Sequence, residues 1–200
     1  GSGSSGGRSP CFSPEAPPAA FGVEGSGSGA RMGAMSAPDL HPDLSLLAPL
    51  LGTWAGPGSG SYPTIEPFEY VEEITFGHVG KPFLAYGQKT RDATSGLPLH
   101  AETGYWRPAG PGRLEVVLSH PSGLLALQLG SVEGGAAGGG GVVIELRSSV
   151  VVGTPTAKPV TEVHRRFELS DDGQVIRYDL SMAAMGQPLT HHLHAELRRV

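Results

Sequence analysis

Residues 52–65 constrain the fold of this chain more than any other segment. They read Gly-Thr-Trp-Ala-Gly-Pro-Gly-Ser-Gly-Ser-Tyr-Pro-Thr-Ile, so Gly56, Gly58 and Gly60 recur at every second position and Trp54 precedes them in phase. Residues two apart share one face of a β-strand, so a strand here would have one face almost bare. A bare face lets a flat, bulky group approach the backbone, or lets a barrel wall bend sharply. Trp54, on the same face, would then close one end of the cavity. A loop is the alternative, because glycine and proline are common in loops.

The chain beyond this segment has the pattern of short strands separated by turn residues. Clusters of Gly, Pro or Asp, such as Asp-Asp-Gly at 171–173, separate stretches in which apolar and polar residues alternate or β-branched residues are frequent. Regular spacing of this kind is typical of an antiparallel up-and-down barrel or a sandwich. We therefore predict an all-β fold of about ten strands, the first over the glycine-rich segment and the others over 68–79, 83–90, 99–107, 113–119, 124–132, 142–152, 160–169, 174–183 and 189–198.

One short helix or 3₁₀ turn is predicted before the first strand. Leucines at helical spacing occupy residues 41–51, Asp43 is placed to cap the start, and Gly52 to end the helix. Such a helix would close one end of a barrel. Because even eight-stranded barrels can hold a small ligand, about ten strands also predict an internal cavity.

Composition limits the domain organisation and the class of partner. Residues 1–38 are rich in Gly, Ser and Pro and predict a disordered leader, residues 39–200 predict one folded domain, and 134–141 a flexible loop. A net charge of −5 gives no reason to expect a nucleic-acid partner. No stretch approaches the roughly 20 apolar residues of a membrane helix. The single cysteine, Cys11, rules out an internal disulfide and is compatible with the reducing cytoplasm.

The last predicted strand carries three of the eight histidines. Strict alternation puts His192 and His194 on one face and Leu193, Ala195 and Leu197 on the other. On alternation alone, the apolar face would point into the barrel and His192 would point outward, as part of a solvated polar stripe.

Longer sequence patterns resemble a known family. Gly52-x-Trp54 near the start of an all-β chain resembles the signature of lipocalin-type barrels. Its extension through alternating glycines to Tyr62-Pro63-Thr64 is similar to the nitrobindin family, and the blocks at 67–73, 78–83, 100–105 and 187–194 agree with that family in order. The resemblance runs from about residue 46 to 200. It implies a barrel like those of lipocalins and fatty-acid-binding proteins, with a heme site.

The resemblance also implies roles for single residues. His192, in Gln-Pro-Leu-x-x-His-Leu, matches the proximal heme-iron ligand, so we predict it inside the cavity despite the alternation. Thr64 and Lys158 match positions near the heme and suit its propionates. The distal pocket is implied at Phe68, Leu99, His100, His120 and Met182. The implied cofactor is one heme b per chain, and the implied activity is nitric oxide binding and isomerisation of peroxynitrite to nitrate.

The implied partners are therefore small molecules in the cytoplasm, with no membrane partner and with a homodimer as an open option. Two other functions stay open on the residues alone. A barrel of this kind can carry an apolar molecule without catalysis. Histidines of the last strand, together with His100 or His120, could instead form a tetrahedral zinc site. Glu72 and Glu73 are adjacent in a strand, so they point to opposite faces and are not expected to act together.

Overall fold

Ten β-strands make up nearly all the regular structure. The computed structural model describes residues 38–134 and 141–200. The predicted leader (apart from Pro38), Cys11 and most of the predicted loop at 134–141 lie outside the described residues. The strands are β1 Gly52–Tyr62, β2 Ile65–Gly77, β3 Leu84–Asp92, β4 Pro98–Pro108, β5 Arg113–His120, β6 Leu124–Gly134, β7 Val142–Gly153, β8 Val160–Leu169, β9 Val175–Ala184 and β10 Thr190–Arg199.

The strands form one closed barrel. Each strand pairs antiparallel with its neighbours in sequence, and β1 also pairs with β10, so the order around the barrel is β1-β10-β9-β8-β7-β6-β5-β4-β3-β2. This confirms the predicted all-β, up-and-down barrel of about ten strands. Closure gives every strand two hydrogen-bonded neighbours. Across the described ranges, no helix has the length and apolar character of a membrane span.

Before β1, where the sequence predicts one short helix or 3₁₀ turn, the structure has two separate 3₁₀ turns, Pro42–Leu44 and Ala48–Leu50, and no α-helix within these residues. Proline is the physical reason, because a proline inside an α-helix removes a backbone hydrogen bond and clashes with the preceding turn. Pro42 and Pro49 each fall near the start of a 3₁₀ turn, where neither cost arises. The chain therefore covers the barrel end with two tight turns.

Trp54 lies beneath these turns and fills the closed end of the barrel. Its side chain is fully buried, as are those of Leu44, Leu47 and Leu50. The indole Nε1–H donates a hydrogen bond of 2.7 Å to the carbonyl oxygen of Leu50. The guanidinium of Arg199 lies 4.2 Å from the centre of the Trp54 ring. One end of the interior is thus sealed by apolar packing.

The glycine-rich segment is a strand, so the loop alternative is wrong. Gly58 lies opposite Tyr70 and Gly60 opposite Phe68 in the β1–β2 pair. A Cβ atom added at either glycine would lie 2.3 Å from the facing aromatic ring. Two rings of the neighbouring strand therefore cover the bare face, which is not open to a ligand over its length.

The two other motif glycines meet backbone constraints. A Cβ atom at Gly56 would lie 2.2 Å from the carbonyl oxygen of Glu196 in β10, so the two strands approach closely there. Gly52 begins β1 with φ +116°, a conformation that glycine adopts readily and other residues do not.

Candidate functional site

A cavity of about 510 Å³ lies at the end of the barrel opposite Trp54. Its wall includes residues next to the β1–β2, β3–β4, β5–β6 and β7–β8 connections: Ile65, Leu99, Leu124 and Val160. This volume falls in the range of about 300–1,000 Å³ that is usual for small-molecule sites. The cavity predicted from the strand number is therefore present.

His192 lines this cavity because β10 is irregular at that residue. The register between β9 and β10 shifts between His191 and Leu193, which leaves His192 as an extra residue. A β-bulge of this kind re-aims side chains, and here both His192 and Leu193 face the cavity. The expectation from strict alternation that His192 points outward is therefore wrong.

One hydrogen bond fixes the tautomer of His192. The imidazole Nδ1 lies 3.0 Å from the carbonyl oxygen of Ser61. A carbonyl only accepts, so Nδ1 carries the hydrogen and Nε2 of the neutral ring keeps a free lone pair. The rings of Tyr62 and Phe68 pack against the imidazole, with centroids 5.3 and 6.2 Å away. Burial lowers the pKa of His192, which favours the neutral form that can bind a metal.

The five residues expected in the distal pocket all line the same cavity: Phe68, Leu99, His100, His120 and Met182. They do not share one side of it. Strands β4 and β5 lie across the ten-stranded ring from β10, so His100 and His120 face His192 from the opposite wall. Phe68 and Met182 belong to strands nearer His192.

Thr64 and Lys158 lie outside the cavity wall. Both are exposed, Thr64 in the β1–β2 turn and Lys158 in the β7–β8 connection. The first residues of the strands that come next, Ile65 of β2 and Val160 of β8, do line the cavity. The two residues therefore lie at the mouth of the cavity and not in its depth.

A buried ion pair forms part of the cavity floor. The guanidinium of Arg165 donates to both carboxylate oxygens of Glu102, with 2.7 Å between Nη2 and Oε2. Tyr86 donates its hydroxyl to Glu102 Oε1 at 2.8 Å. Burial raises the pKa of Glu102, but the charge and hydrogen bonds of Arg165 outweigh burial and hold that pKa well below its usual range. Glu102 is therefore an anion at neutral pH.

Glu72 forms the second half of this floor. Its carboxylate accepts from Tyr178 at 2.7 Å and from the Gln88 amide at 2.9 Å. The Tyr178 hydroxyl also lies 3.1 Å from that of Tyr70. Burial, with the nearby charge of Glu102 adding to its effect, raises the pKa of Glu72 to about 7. The two hydrogen bonds lower this pKa but do not outweigh burial. Glu72 is thus partly protonated near neutral pH.

Comparison with known proteins decides the family. Residues 43–199 match the model of the THAP4-like, heme-binding β-barrel domain. The chain belongs to the THAP4-like heme-binding barrel family. The match covers every strand of the barrel.

Relatives of this heme-binding barrel agree along nearly their whole length. A Mycobacterium marinum protein named peroxynitrite isomerase 2 is 56% identical over 161 residues, which cover 80% of this chain and 97% of that protein. A peroxynitrite isomerase of Nocardia farcinica is 50% identical over 160 residues, covering 80% and 92%. The crystal structure of Rv2717c from M. tuberculosis has 49% identity and a TM-score of 0.76, covering 81% of this chain and 99% of that one.

Sequence reasoning missed most of the polar floor of the heme-binding barrel. Glu102, Arg165, Glu72 and Gln88 are at most 8% exposed. The expectation that Glu72 and Glu73 point to opposite faces agrees with the structure, where only Glu72 lines the cavity. Alternation could also have placed Glu102 inside, two residues after His100. Nothing in the sequence identified Glu102 as the partner of Arg165.

Among the described residues, the zinc site left open as an alternative, built from the last strand with His100 or His120, is not assembled. His191 and His194 both contact Asp179 Oδ1, at 3.1 and 2.9 Å. These two histidines are exposed on the outer surface of the heme-binding barrel. Only His192 of the three reaches the cavity that His100 and His120 line.

Proposed function

We propose that this protein binds one heme b per chain through His192 and isomerises peroxynitrite to nitrate in the cytoplasm. The observation that carries the proposal is the 3.0 Å hydrogen bond between Nδ1 of His192 and the carbonyl oxygen of Ser61, which leaves Nε2 of the ring available to a metal. Metal-binding histidines usually donate their other ring N–H to a carbonyl or carboxylate, which orients the ring and raises its basicity. The names of the relatives support the activity.

The cavity suits heme in size and lining. Apolar side chains such as Phe68, Leu193 and Met182 surround His192, which favours a flat, hydrophobic macrocycle and excludes water. Thr64 and Lys158 lie at the mouth, where a hydroxyl and an ammonium group can hold the propionates. The ammonium group contributes charge and the hydroxyl contributes a hydrogen bond.

The opposite wall supplies polar groups for the substrate. His100 and His120 lie across the cavity from His192, and their nearest ring nitrogens, Nε2 and Nδ1, are 3.3 Å apart. Either imidazole can donate a hydrogen bond to an anionic oxygen. Burial lowers the pKa of His120, which favours the neutral form of that imidazole.

Ferric heme held by His192 would supply the metal chemistry for isomerising peroxynitrite to nitrate, and the same iron would bind nitric oxide. Substrate and product are isomers, so the atoms and electrons balance without an external reductant. The residues of the chain hold the cofactor, keep water out and orient the anion. Removal of peroxynitrite in this way would detoxify a reactive nitrogen species.

A non-enzymatic carrier of an apolar molecule is the main alternative, and the cavity floor disfavours a fatty acid. An anionic head group needs a free cation, whereas Arg165 is already paired with both oxygens of Glu102.

The activity is tested by stopped-flow decay of peroxynitrite with the heme-loaded protein, followed by the ratio of nitrate to nitrite. We expect faster decay and nitrate as the main product. The His194→Ala variant is the matched control, because it removes an outward histidine of the same strand, and it should retain the activity. Decay no faster than with heme-free protein would rule out the isomerase.

A further inference from the structure

We propose that His100, Glu102 and His120 form a binding site for a divalent transition-metal cation of the zinc class on the cavity wall. Within residues 38–134 and 141–200, this is a group of three metal-ligating side chains whose ligand atoms lie within 4.8 Å of one another. The site is separate from His192 and does not depend on heme.

The spacing of the three ligand atoms fits a tetrahedral metal. Nε2 of His100 and Oε2 of Glu102 both lie near Nδ1 of His120, each at 3.3 Å, and are 3.9 Å from each other. Zinc binds histidine nitrogen and carboxylate oxygen at about 2.0–2.2 Å, which puts tetrahedral ligands roughly 3.3–3.5 Å apart. Two of the three separations already have this value, and the third needs a small inward shift.

The sheet itself brings the three ligands together. His100 and Glu102 are two residues apart in β4, so they share the inner face. Thr103 pairs with Ser119 of β5, and the same antiparallel register places His120 opposite Glu102. Two neighbouring strands of a rigid barrel therefore hold the group, and no mobile loop contributes to it.

Arg165 does not block the site. Its guanidinium donates one hydrogen bond to each oxygen of Glu102. Each carboxylate oxygen has two lone pairs, so one lone pair of Oε2 is not used by Arg165. Oε2 can therefore bind a cation while Arg165 fixes the carboxylate from behind, as outer-shell partners commonly do. The positive charge of Arg165 should weaken metal affinity, and the carboxylate of Glu72 beside Glu102 offsets part of that charge.

Three protein ligands leave one coordination position for water or a small anion, as in zinc sites that do chemistry. All three residues line the cavity, so that position is open to a ligand there. The His100 side chain is 42% exposed, which gives the cation a route from solvent. Glu102, by contrast, is 3% exposed and anchors the site.

The test is a titration of the full-length, heme-free chain with Zn²⁺ against a chromophoric chelator, and with Co²⁺ followed by its visible spectrum. We expect one equivalent of metal and the intense cobalt bands of a four-coordinate site. His100→Ala and His120→Ala should each weaken binding at least about 100-fold, since even loss of an outer-shell partner costs about 10–100-fold.

His191→Ala is the matched control, because it removes an exposed histidine of the outer surface and should leave the affinity unchanged. Thermal melting checks that each variant folds. The His100 side chain is partly exposed, so its replacement by alanine should disturb core packing little. Absence of zinc binding, full binding by both cavity variants, or equal weakening in His191→Ala would each overturn the proposal. Since no heme is added, failure of heme binding would not affect this result.

Discussion

Ser61 and His192 are joined by a 3.0 Å hydrogen bond between two irregular points of neighbouring strands. The β1–β2 register shifts between Gly60 and Tyr62, and the β9–β10 register shifts between His191 and Leu193. At the register shift in β1, the carbonyl oxygen of Ser61 bonds the imidazole of His192. The bulge in β10 turns that imidazole toward the cavity. Together they orient the residue on which the proposed function depends.

Heme retention should depend on pH through His192. Burial lowers the pKa of this imidazole, so the folded chain binds its proton at lower pH than the unfolded chain, whose value is near 6.5. Above about 6.5 both states are neutral and the group adds no pH dependence; below it, the unfolded state binds more protons and stability falls. We expect the Soret band to persist down to about pH 6.5 and to disappear only in more acidic solution. Half-loss at alkaline pH would contradict this.

Glu72→Gln should stabilise the protein above neutral pH. The folded state raises the pKa of Glu72 from 4.5 to about 7, so its stabilising contribution is complete below about 4.5 and is lost as pH rises through 7. A neutral amide avoids that loss, which amounts to roughly 3 kcal/mol at most, at 1.36 kcal/mol per pKa unit. Urea unfolding at pH 5 and pH 8 measures the effect.

Glu73→Gln is the control for that substitution, because Glu73 is partly exposed and its carboxylate pairs with Lys89 on the outside at 2.7 Å. It should change stability little at either pH. If Glu72→Gln is less stable than wild type by the same amount at pH 8 and at pH 5, Glu72 is ionised over that whole pH range in the folded protein.

Arg165→Met should destabilise the barrel by about 3–5 kcal/mol, because it leaves the buried carboxylate of Glu102 without its partner. Arg166→Met, at the adjacent and 41% exposed residue, should cost less than about 1 kcal/mol. Chemical denaturation of the two variants gives the comparison. Equal losses would mean that the ion pair on the cavity floor contributes no more than one on the surface.

Gly60→Val should reduce heme affinity more than it reduces stability. The added side chain would meet the ring of Phe68, which packs 6.2 Å from the His192 ring, so Phe68 must move toward the cavity. Overpacking of this kind costs about 1–3 kcal/mol. Gly77→Ala is the control, since a Cβ there has nothing within 4 Å. Heme titration and thermal melting measure the two effects, and unchanged heme affinity would show that Phe68 yields elsewhere.

The sequence was sufficient for the strand number, the antiparallel order and the cavity, because turn residues and alternation are local signals. Alternation alone failed at His192, which the family resemblance had placed inside the cavity, because a bulge depends on how β9 and β10 pair and leaves no mark in β10 alone. Sequence reasoning also missed the link between Glu102 and Arg165, which are far apart in sequence. The bare face of β1 was expected from its glycines, whereas the rings that cover it depend on the register with β2.

The role of His192 is tested most directly by hemin titration of the wild-type protein, His192→Ala and His194→Ala, followed by the Soret band. We expect one heme per chain for wild type and His194→Ala, since His194 contacts Asp179 on the outside. His192→Ala should lose stoichiometric binding, and added imidazole should restore the wild-type spectrum by filling the vacated position. A wild-type spectrum in His192→Ala without imidazole, with loss of the band in His194→Ala, would show that His192 is not the heme ligand.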